Sequence, residues 1–387
     1  MHVSASQTFY VKRRLIALRK PRVLLLVNRW YANGGVEHFI EQLVDETSAN
    51  IDYTIGSLIT AVESSSVCSK IGPILSSSNI SQMFFLGGQI LGFMKSGDYD
   101  AVHIQASNGA SFYLSHLAKR AGIPKRIVHS HNGGAEISNS PLKRTVGKAC
   151  SLLFATSATN YWACSNNAGE YLFPGRTFEV FRNGIDLDRF SFSAKERNEV
   201  RSRVGVGEQE FLLGSIGRIE QQKNPIFQVR VFSELLKLIP NAKFCIVGNG
   251  SMENELNNEV SELGLWNHII RVSSTSEPQS FYSAFDALLL PSRFEGLSFV
   301  GIEAQCSGLP IYGSRALPRE LGITKLITFD SIQEDPAVWA KRIANGIGRI
   351  KTEERANYSA ELYDLGFDRK TCFEKIAGAY QRGASVG

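Results

Sequence analysis

Short aliphatic runs alternate along most of the chain with longer segments in which apolar residues recur every three or four positions. Val23 to Val27 is an unbroken apolar run, the pattern of a strand buried on both faces. A loop containing Gly34-Gly35 follows, and an amphipathic helix is predicted from Val36. Ala101 to Gln105 and Arg126 to Ser130 read as further strands with a helix, Ser111 to Ala121, between them. Tyr161 to Ser165 is a short strand after a long helical stretch from Leu142. The alternation restarts after the turn-rich Arg182-Asn183-Gly184-Ile185-Asp186. Strands are then predicted at Phe211 to Ile216, Lys243 to Val247, His268 to Val272, Ala287 to Leu290 and Leu309 to Tyr312. Helical patterns at Pro225 to Leu238, Glu253 to Leu263 and Phe281 to Phe285 separate them. This rhythm predicts an α/β protein with parallel sheets. Two series joined near residue 185 predict two doubly wound domains facing across a cleft. The expected layout is a basic extension over residues 1–21, domains over 22–185 and 186–366, and a closing segment over 367–387 with a helix from Lys370 to Gln381.

Composition narrows the function classes. The 387 residues suit two domains of ordinary size, and an apolar fraction of 43% with 20% charged residues is that of a globular protein. No run approaches the roughly 20 apolar residues of a membrane-spanning helix, and the apolar stretch after Lys12, Arg13 and Arg14 is too short for a signal peptide. The expected location is therefore the cytoplasm. Six scattered cysteines (Cys68, Cys150, Cys164, Cys245, Cys306, Cys372) form no C-x-x-C pair, which argues against a zinc site or a disulfide framework. Charge is uneven: 18 Lys and Arg stand against 12 Asp and Glu through Leu187, and 24 against 25 after it. A basic first half fits an anionic partner such as a phosphate or lipid head group, or a merely solvated surface. The positive residues come in short pairs without interleaved aromatics, so nucleic acid is not expected as a partner.

Four motifs carry chemistry. In Pro291-Ser-Arg-Phe-Glu295-Gly296-Leu297-Ser298 a strand ends, a turn forms and a helix begins near Ser298. Glu295 then lies in a loop at a strand's carboxyl end, where open α/β sheets bind ligands, and Glu303 one helical turn further in. Two carboxylates so staged can each accept hydrogen bonds from vicinal hydroxyls, one pair on a sugar and one on a ribose. In Gly214-Ser-Ile-Gly217-Arg218-Ile-Glu-Gln-Gln-Lys223-Asn-Pro225, two cations flank a helix start opened by Pro225, an arrangement suited to a diphosphate. The paired Gly34-Gly35 lets backbone amides approach a ligand closely. Gly248-Asn-Gly250 lacks a third glycine at the dinucleotide-loop spacing and reads as a strand-end turn. In His129-Ser-His131-Asn132, at another strand end, an imidazole can reach a sugar hydroxyl or serve the fold alone.

Taken in order, these motifs resemble glycosyltransferase family 4, the retaining enzymes of the GT-B fold with two Rossmann-like domains. The most specific part is Asp286-Ala-Leu-Leu-Leu-Pro-Ser-Arg-Phe-Glu-Gly through Glu303-Ala-Gln-Cys-Ser-Gly-Leu-Pro310. The N-G-G-V-E opening, the H-S-H-N strand end and Ala163-Cys-Ser165 resemble the branch that builds exopolysaccharides and capsules. The resemblance implies that Arg218 and Lys223 hold the donor diphosphate, with Gly34, Gly35, Gly217, Gly296, Leu297 and Ser298 in the donor site. It implies that Glu295 contacts the transferred sugar, Glu303 the ribose, and that His131 lies near the donor sugar. The catalytic set is then Arg218, Lys223, Glu295 and His131. The segment Arg271-Val-Ser-Ser-Thr-Ser-Glu-Pro278 lacks the glycine and basic residue that many similar proteins carry where the base is read, so the base is left open, with UDP the commonest choice.

These implications define expected partners: a nucleotide-sugar donor, and a saccharide or polyprenyl-diphosphate-linked acceptor. Lys143-Arg144-Thr-Val-Gly-Lys148 with Leu152, Leu153 and Phe154 fits either an anionic membrane surface, with a peripheral position on its inner face, or ordinary core. No metal or other cofactor is expected, because Asp98-Tyr-Asp100 and Asp186-Leu-Asp188 do not follow donor-binding strands. Two other assignments stay open: a GT-B nucleotide-sugar epimerase, and a non-catalytic donor-binding subunit of a polysaccharide assembly complex.

Overall fold

The computed structural model describes residues 19–30, 34–60, 69–72, 74–75, 85–131, 141–273, 275–348 and 352–382. Lys12, Arg13, Arg14, Asn33, Cys68, Asn132, Ser274 and the Lys143 side chain, all singled out in the sequence, lie outside it.

Thirteen strands are described. β1 (Arg22–Val27), β2 (Asp52–Ser57), β3 (Ser69–Ile71), β4 (Ala101–Ala106), β5 (Lys125–Ser130), β6 (Asn160–Ala163) and β7 (Glu179–Val180) form one sheet in the order β3-β2-β1-β4-β5-β6-β7. β8 (Leu212–Ile216), β9 (Lys243–Val247), β10 (Ile269–Val272), β11 (Ala287–Leu290), β12 (Ile311–Ser314) and β13 (Ile327–Asp330) form the second, in the order β10-β9-β8-β11-β12-β13. The described pairings are parallel, with Val23 opposite both Tyr53 and Ala101, and Leu288 opposite both Gly214 and Ile311. Each sheet reverses its winding beside its first strand, between β1 and β4 and between β8 and β11. Such a reversal opens a crevice at the strands' carboxyl ends, because the following loops diverge to opposite faces.

Contacts group the chain into two compact units. One comprises residues up to His129, Thr145–Tyr161 and residues from Phe373 onward; the other comprises Ser130–Arg144 and Trp162–Cys372. In the first, Val23 to Leu26 are fully buried, and the buried Lys125 ammonium donates to the carbonyls of Ala379, Tyr380 and Arg382. In the second, Leu213, Val229, Phe232, Phe244, Leu289 and Trp339 share one core. Asp286 anchors that unit's central strands: it pairs with Arg197 at 2.6 Å and Arg201 at 3.1 Å and accepts from the Leu212 amide. Among the described residues no helix is long and apolar enough to cross a membrane.

The strand expected at Leu309 to Tyr312 runs instead from Ile311 to Ser314. Gly308, at φ +61°, ends the preceding helix, and Pro310 has no amide to give the ladder, so pairing starts one residue later. The helix expected at Phe281 to Phe285 begins earlier, at Pro278, whose fixed φ suits a first turn.

Candidate active site

The loop after β8 is held by the loop after β9. Gly217 N donates to Val247 O at 3.0 Å, Ile219 N to Asn249 O at 2.9 Å, and Met252 N to Ile219 O at 3.0 Å. This approach is so close that a Cβ on Gly248, at φ +136°, would sit 2.0 Å from Gly217 O, and one on Gly250 2.3 Å from Ile219 O. The Gly-x-Gly string that reads as a mere turn is therefore what lets the basic loop seat against its neighbour. Glu220 accepts from the Ser251 amide and hydroxyl, which hold its carboxyl below the usual range. Arg218 is exposed at the tip.

Lys223 closes a single 3-10 turn, Gln221–Lys223, and Asn224 then takes the left-handed conformation (φ 56°, ψ 52°) before Pro225 opens the helix to Leu238. Asn224 is the one non-glycine residue with positive φ among those described. The strain is offset by bonds to the loop after β11: Asn224 Nδ2 donates to Pro291 O, Arg293 N to Gln222 O at 2.8 Å, and Gln222 Nε2 to Phe294 O at 3.1 Å. Those bonds bring Lys223 Nζ into an ion pair with Glu295 Oε1, across 72 residues of sequence. The two side chains are only 15% and 10% exposed. Gly217, at φ +141°, leaves the space for the lysine stem, since its Cβ would lie 3.3 Å from Lys223 Cε.

Glu303 lies in the second turn of the helix Phe299–Cys306 and is 5% exposed. Tyr282 donates its hydroxyl to Glu303 Oε2 at 2.7 Å. Burial pushes the Glu303 carboxyl up to about 7, against the opposing pull of that hydroxyl, Arg189 and Lys223. Tyr282 is held in turn by the buried Arg355, which donates to its carbonyl at 2.7 Å. Leu297 is buried and its carbonyl accepts from Asn183 Nδ2 at 2.8 Å. Ser298 precedes the helix without capping it through its side chain, and the positive end of the helix dipole lies at that end. Gly296 is half-buried and is not among the positive-φ glycines, so the turn itself does not demand a glycine there.

Lys223, Glu295, Gly217, Arg218, Gly296, Leu297, Ser298 and Glu303 thus all sit on loops or a helix start at the carboxyl ends of β8 and β11. Gly34 and Gly35 belong to the other unit. Gly34 precedes the helix Gly35–Thr47 at φ −88°, and its carbonyl accepts from His38 N. His131 follows β5, is buried, and has its pKa pushed down to about 3 by burial, so it is a neutral imidazole at physiological pH. Of the D-x-D acids, Asp186 caps the helix Leu187–Phe190 by accepting from Arg189 N, and Asp100 takes both Arg19 and the Arg22 amide. Tyr282, Asn224, Gly248 and Gly250 support the site without having been singled out for it. Only the two glycines left a trace in the sequence, as a spaced pair after a strand.

The same residues lie inside a recognised domain. Residues 196–318 match the family model described as glycosyl transferases group 1. The chain is similar to EpsF of Bacillus subtilis (strain 168), a protein that carries a glycosyltransferase name, at 27% identity over 74% of this chain and 76% of that protein. It is similar at 28% identity to the Escherichia coli UDP-Gal:alpha-D-GlcNAc-diphosphoundecaprenol alpha-1,3-galactosyltransferase, over 56% of this chain and 58% of that one. Among solved structures, Anabaena HepE in complex with UDP superimposes with a TM-score of 0.73 at 16% identity, covering 93% of this chain and 99% of that one. The fold is GT-B, with two Rossmann-like parallel sheets. The chain carries a group 1 glycosyltransferase domain and is a transferase enzyme, a glycosyltransferase.

Two outcomes follow from this geometry. The Glu303 pKa lies above that of an unfolded glutamate, so the folded state holds a proton that the unfolded state releases between about pH 4.5 and 7. Stability therefore falls as pH rises through that window and then levels off. Glu303→Gln keeps an acceptor for Tyr282 and removes the buried charge. By calorimetry it is expected to be more stable than the wild type above pH 7, by on the order of 2 kcal/mol, with the gain vanishing below pH 4.5. Gly248→Ala is expected to cost at least about 2 kcal/mol of stability and to lower kcat/KM by displacing the Arg218 loop. Gly264→Ala, with φ +66° but nothing near its Cβ, serves as the control, with a cost near 1 kcal/mol and unchanged kinetics.

Proposed function

We propose that the enzyme is a retaining glycosyltransferase of family 4 that moves a sugar from a nucleoside-diphosphate sugar, a UDP-sugar, to a saccharide acceptor on a polyprenyl diphosphate. In this reading it works in exopolysaccharide or capsule biosynthesis, in the cytoplasm, peripheral to the inner face of the membrane. The observation that carries the proposal is the shielded Lys223–Glu295 pair at the winding reversal between β8 and β11, with Arg218 exposed beside it. Support for the donor comes from similar proteins whose names include UDP-Gal or whose crystals hold UDP, and for the acceptor from the diphosphoundecaprenol-linked substrate of one of them.

The chemistry follows from charge. As the bond from the sugar's anomeric carbon to the β-phosphate oxygen breaks, negative charge grows on the diphosphate. Arg218, Lys223 and the amino end of the helix Phe299–Cys306 would meet that charge with little reorganisation, which is the strongest lever available to an enzyme of this kind. Lys223 exchanges its bond to Glu295 for one to phosphate, which frees Glu295 to accept from the hydroxyls of the transferred sugar. Glu303 takes the ribose hydroxyls, and neutral His131 bonds a hydroxyl of the sugar. The acceptor oxygen bonds to the anomeric carbon on the face the diphosphate leaves, and its proton passes to the departing β-phosphate oxygen. The products are a nucleoside diphosphate and a glycoside. No metal is assigned a role, since Asp186 and Asp100 are committed to a helix cap and to arginines.

Donor hydrolysis measured across UDP-, GDP- and ADP-sugars tests the reading. Lys223→Ala and Arg218→Ala are each expected to lower kcat/KM by about 100-fold or more, and a chelator to leave turnover unchanged. Undiminished turnover in both variants would overturn the assigned roles. Conversion of the donor to its epimer without acceptor would make the enzyme an epimerase instead.

A further inference from the structure

Three helices of the first unit form a surface with an unusual composition. They are Gly87–Ser96, Ser111–Arg120 and Pro141–Phe154, the last belonging to that unit from Thr145 on, and none of the three contains an aspartate or glutamate. They lie side by side. A Cβ on Gly87 would touch the Tyr113 hydroxyl at 2.3 Å, and the Phe154 ring lies 5.6 Å from Tyr113 and 4.8 Å from His116. Gly147 O lies close enough to Gly109 that a Cβ there would be 2.3 Å away, so the last helix is pressed down on its glycine side.

That orientation fixes what faces outward. Gly147 and Cys150 are buried, and the opposite stripe presents Lys148, Ala149, Leu152 and Leu153. The solvent stripe of a helix is normally polar. Here Leu152 is 86% exposed and Leu153 70%, and Phe85, two residues before Gly87, is 90% exposed. These are the three most exposed large apolar side chains among the described residues. Of the two readings left open by the sequence, ordinary core is excluded for Leu152 and Leu153.

Cations complete the surface. Lys148 stands one turn before Leu152, and exposed Lys119 and Arg120 end the neighbouring helix, close enough to His116 to lower its pKa after burial has done so. Apolar tips flanked by long cationic side chains, with no acid on the three helices, are complementary to one class of surface. We infer that this face docks on an anionic lipid bilayer, with Leu152, Leu153 and Phe85 entering the acyl boundary and Lys148, Lys119 and Arg120 reaching the head groups. A bilayer calls for insertion and positive charge together, since neither alone gives stable attachment. The inference deepens the proposed use of a lipid-linked acceptor but rests on this surface alone.

The test is vesicle flotation of the full chain, using phosphatidylcholine vesicles with and without phosphatidylglycerol, at low and high salt. Wild type is expected to float with anionic vesicles at low salt, and to lose most of that binding at high salt or without phosphatidylglycerol. The double variant Leu152→Ser, Leu153→Ser is expected to bind at least about tenfold more weakly, and Lys148→Glu to weaken binding in the same direction. Both variants should hydrolyse donor at the wild-type rate, which separates failure of the surface from failure of the glycosyltransferase reading. Wild-type flotation by the leucine variant would overturn the inference. So would absence of wild-type binding at low salt, or a concentration-dependent dimer that the leucine variant abolishes.

Discussion

A cation and a carboxylate that are both largely shielded from water must find each other, because either left alone would carry a large desolvation cost. Lys223 and Glu295 meet this constraint from loops 72 residues apart, and most of the local architecture serves that meeting. The left-handed Asn224, the backbone bond from Arg293 to Gln222 and the glycine contact that makes room for the lysine stem all fix where the two loops lie. The unliganded site is thereby charge-balanced within itself. In the proposed function a diphosphate sugar presents the same balance in another form, an anion for the lysine and hydroxyls for the glutamate. Binding can then exchange one set of partners for another without exposing an unpaired charge.

Glu303 has no such partner. Its carboxylate is buried against a tyrosine hydroxyl, and the cations that favour ionisation act without direct contact. A residue kept at a cost to the fold is better explained by a ligand than by stability. Tyr282 keeps that acid oriented, and Arg355 holds Tyr282 through the carbonyls at the end of its helix. The support for one acid therefore passes through two residues, only one of which touches it.

Much of the second unit is legible in the sequence because each of its strands is a compact apolar run that stops abruptly at turn residues. Lys243 to Val247, Ala287 to Leu290 and the helix from Pro225 have the bounds that the pattern predicts. β2 is not legible: Asp52-Tyr-Thr-Ile-Gly-Ser alternates too weakly to mark a strand, and only pairing with β1 buries Tyr53 and Ile55. The candidate site residues are legible by type, as acids and bases placed just after strands. Their mutual support is not. Gly248 looks like a turn glycine until the neighbouring loop is seen 2.0 Å from its missing Cβ, and nothing local marks Tyr282 as the partner of an acid 21 residues away.

The apolar pattern of Pro141 to Phe154 shows why periodicity alone leaves a helix's outward face undecided. A stripe of Val146, Cys150 and Phe154 and a stripe including Leu152 and Leu153 are both apolar, and hydropathy does not rank them. What decides is backbone approach: Gly109 and Gly147 allow one side to pack almost without side chains, so that side goes in and the leucines stay out. Once outside, two leucines are a liability in water unless something covers them for part of the time. Acid-free neighbours with basic ends suit the inferred anionic surface, on which the modest apolar area would keep attachment reversible. For a glycosyltransferase acting on a lipid-linked chain, reversible attachment has a use that a spanning helix lacks: the enzyme can leave one acceptor and reach the next without diffusing in the membrane plane.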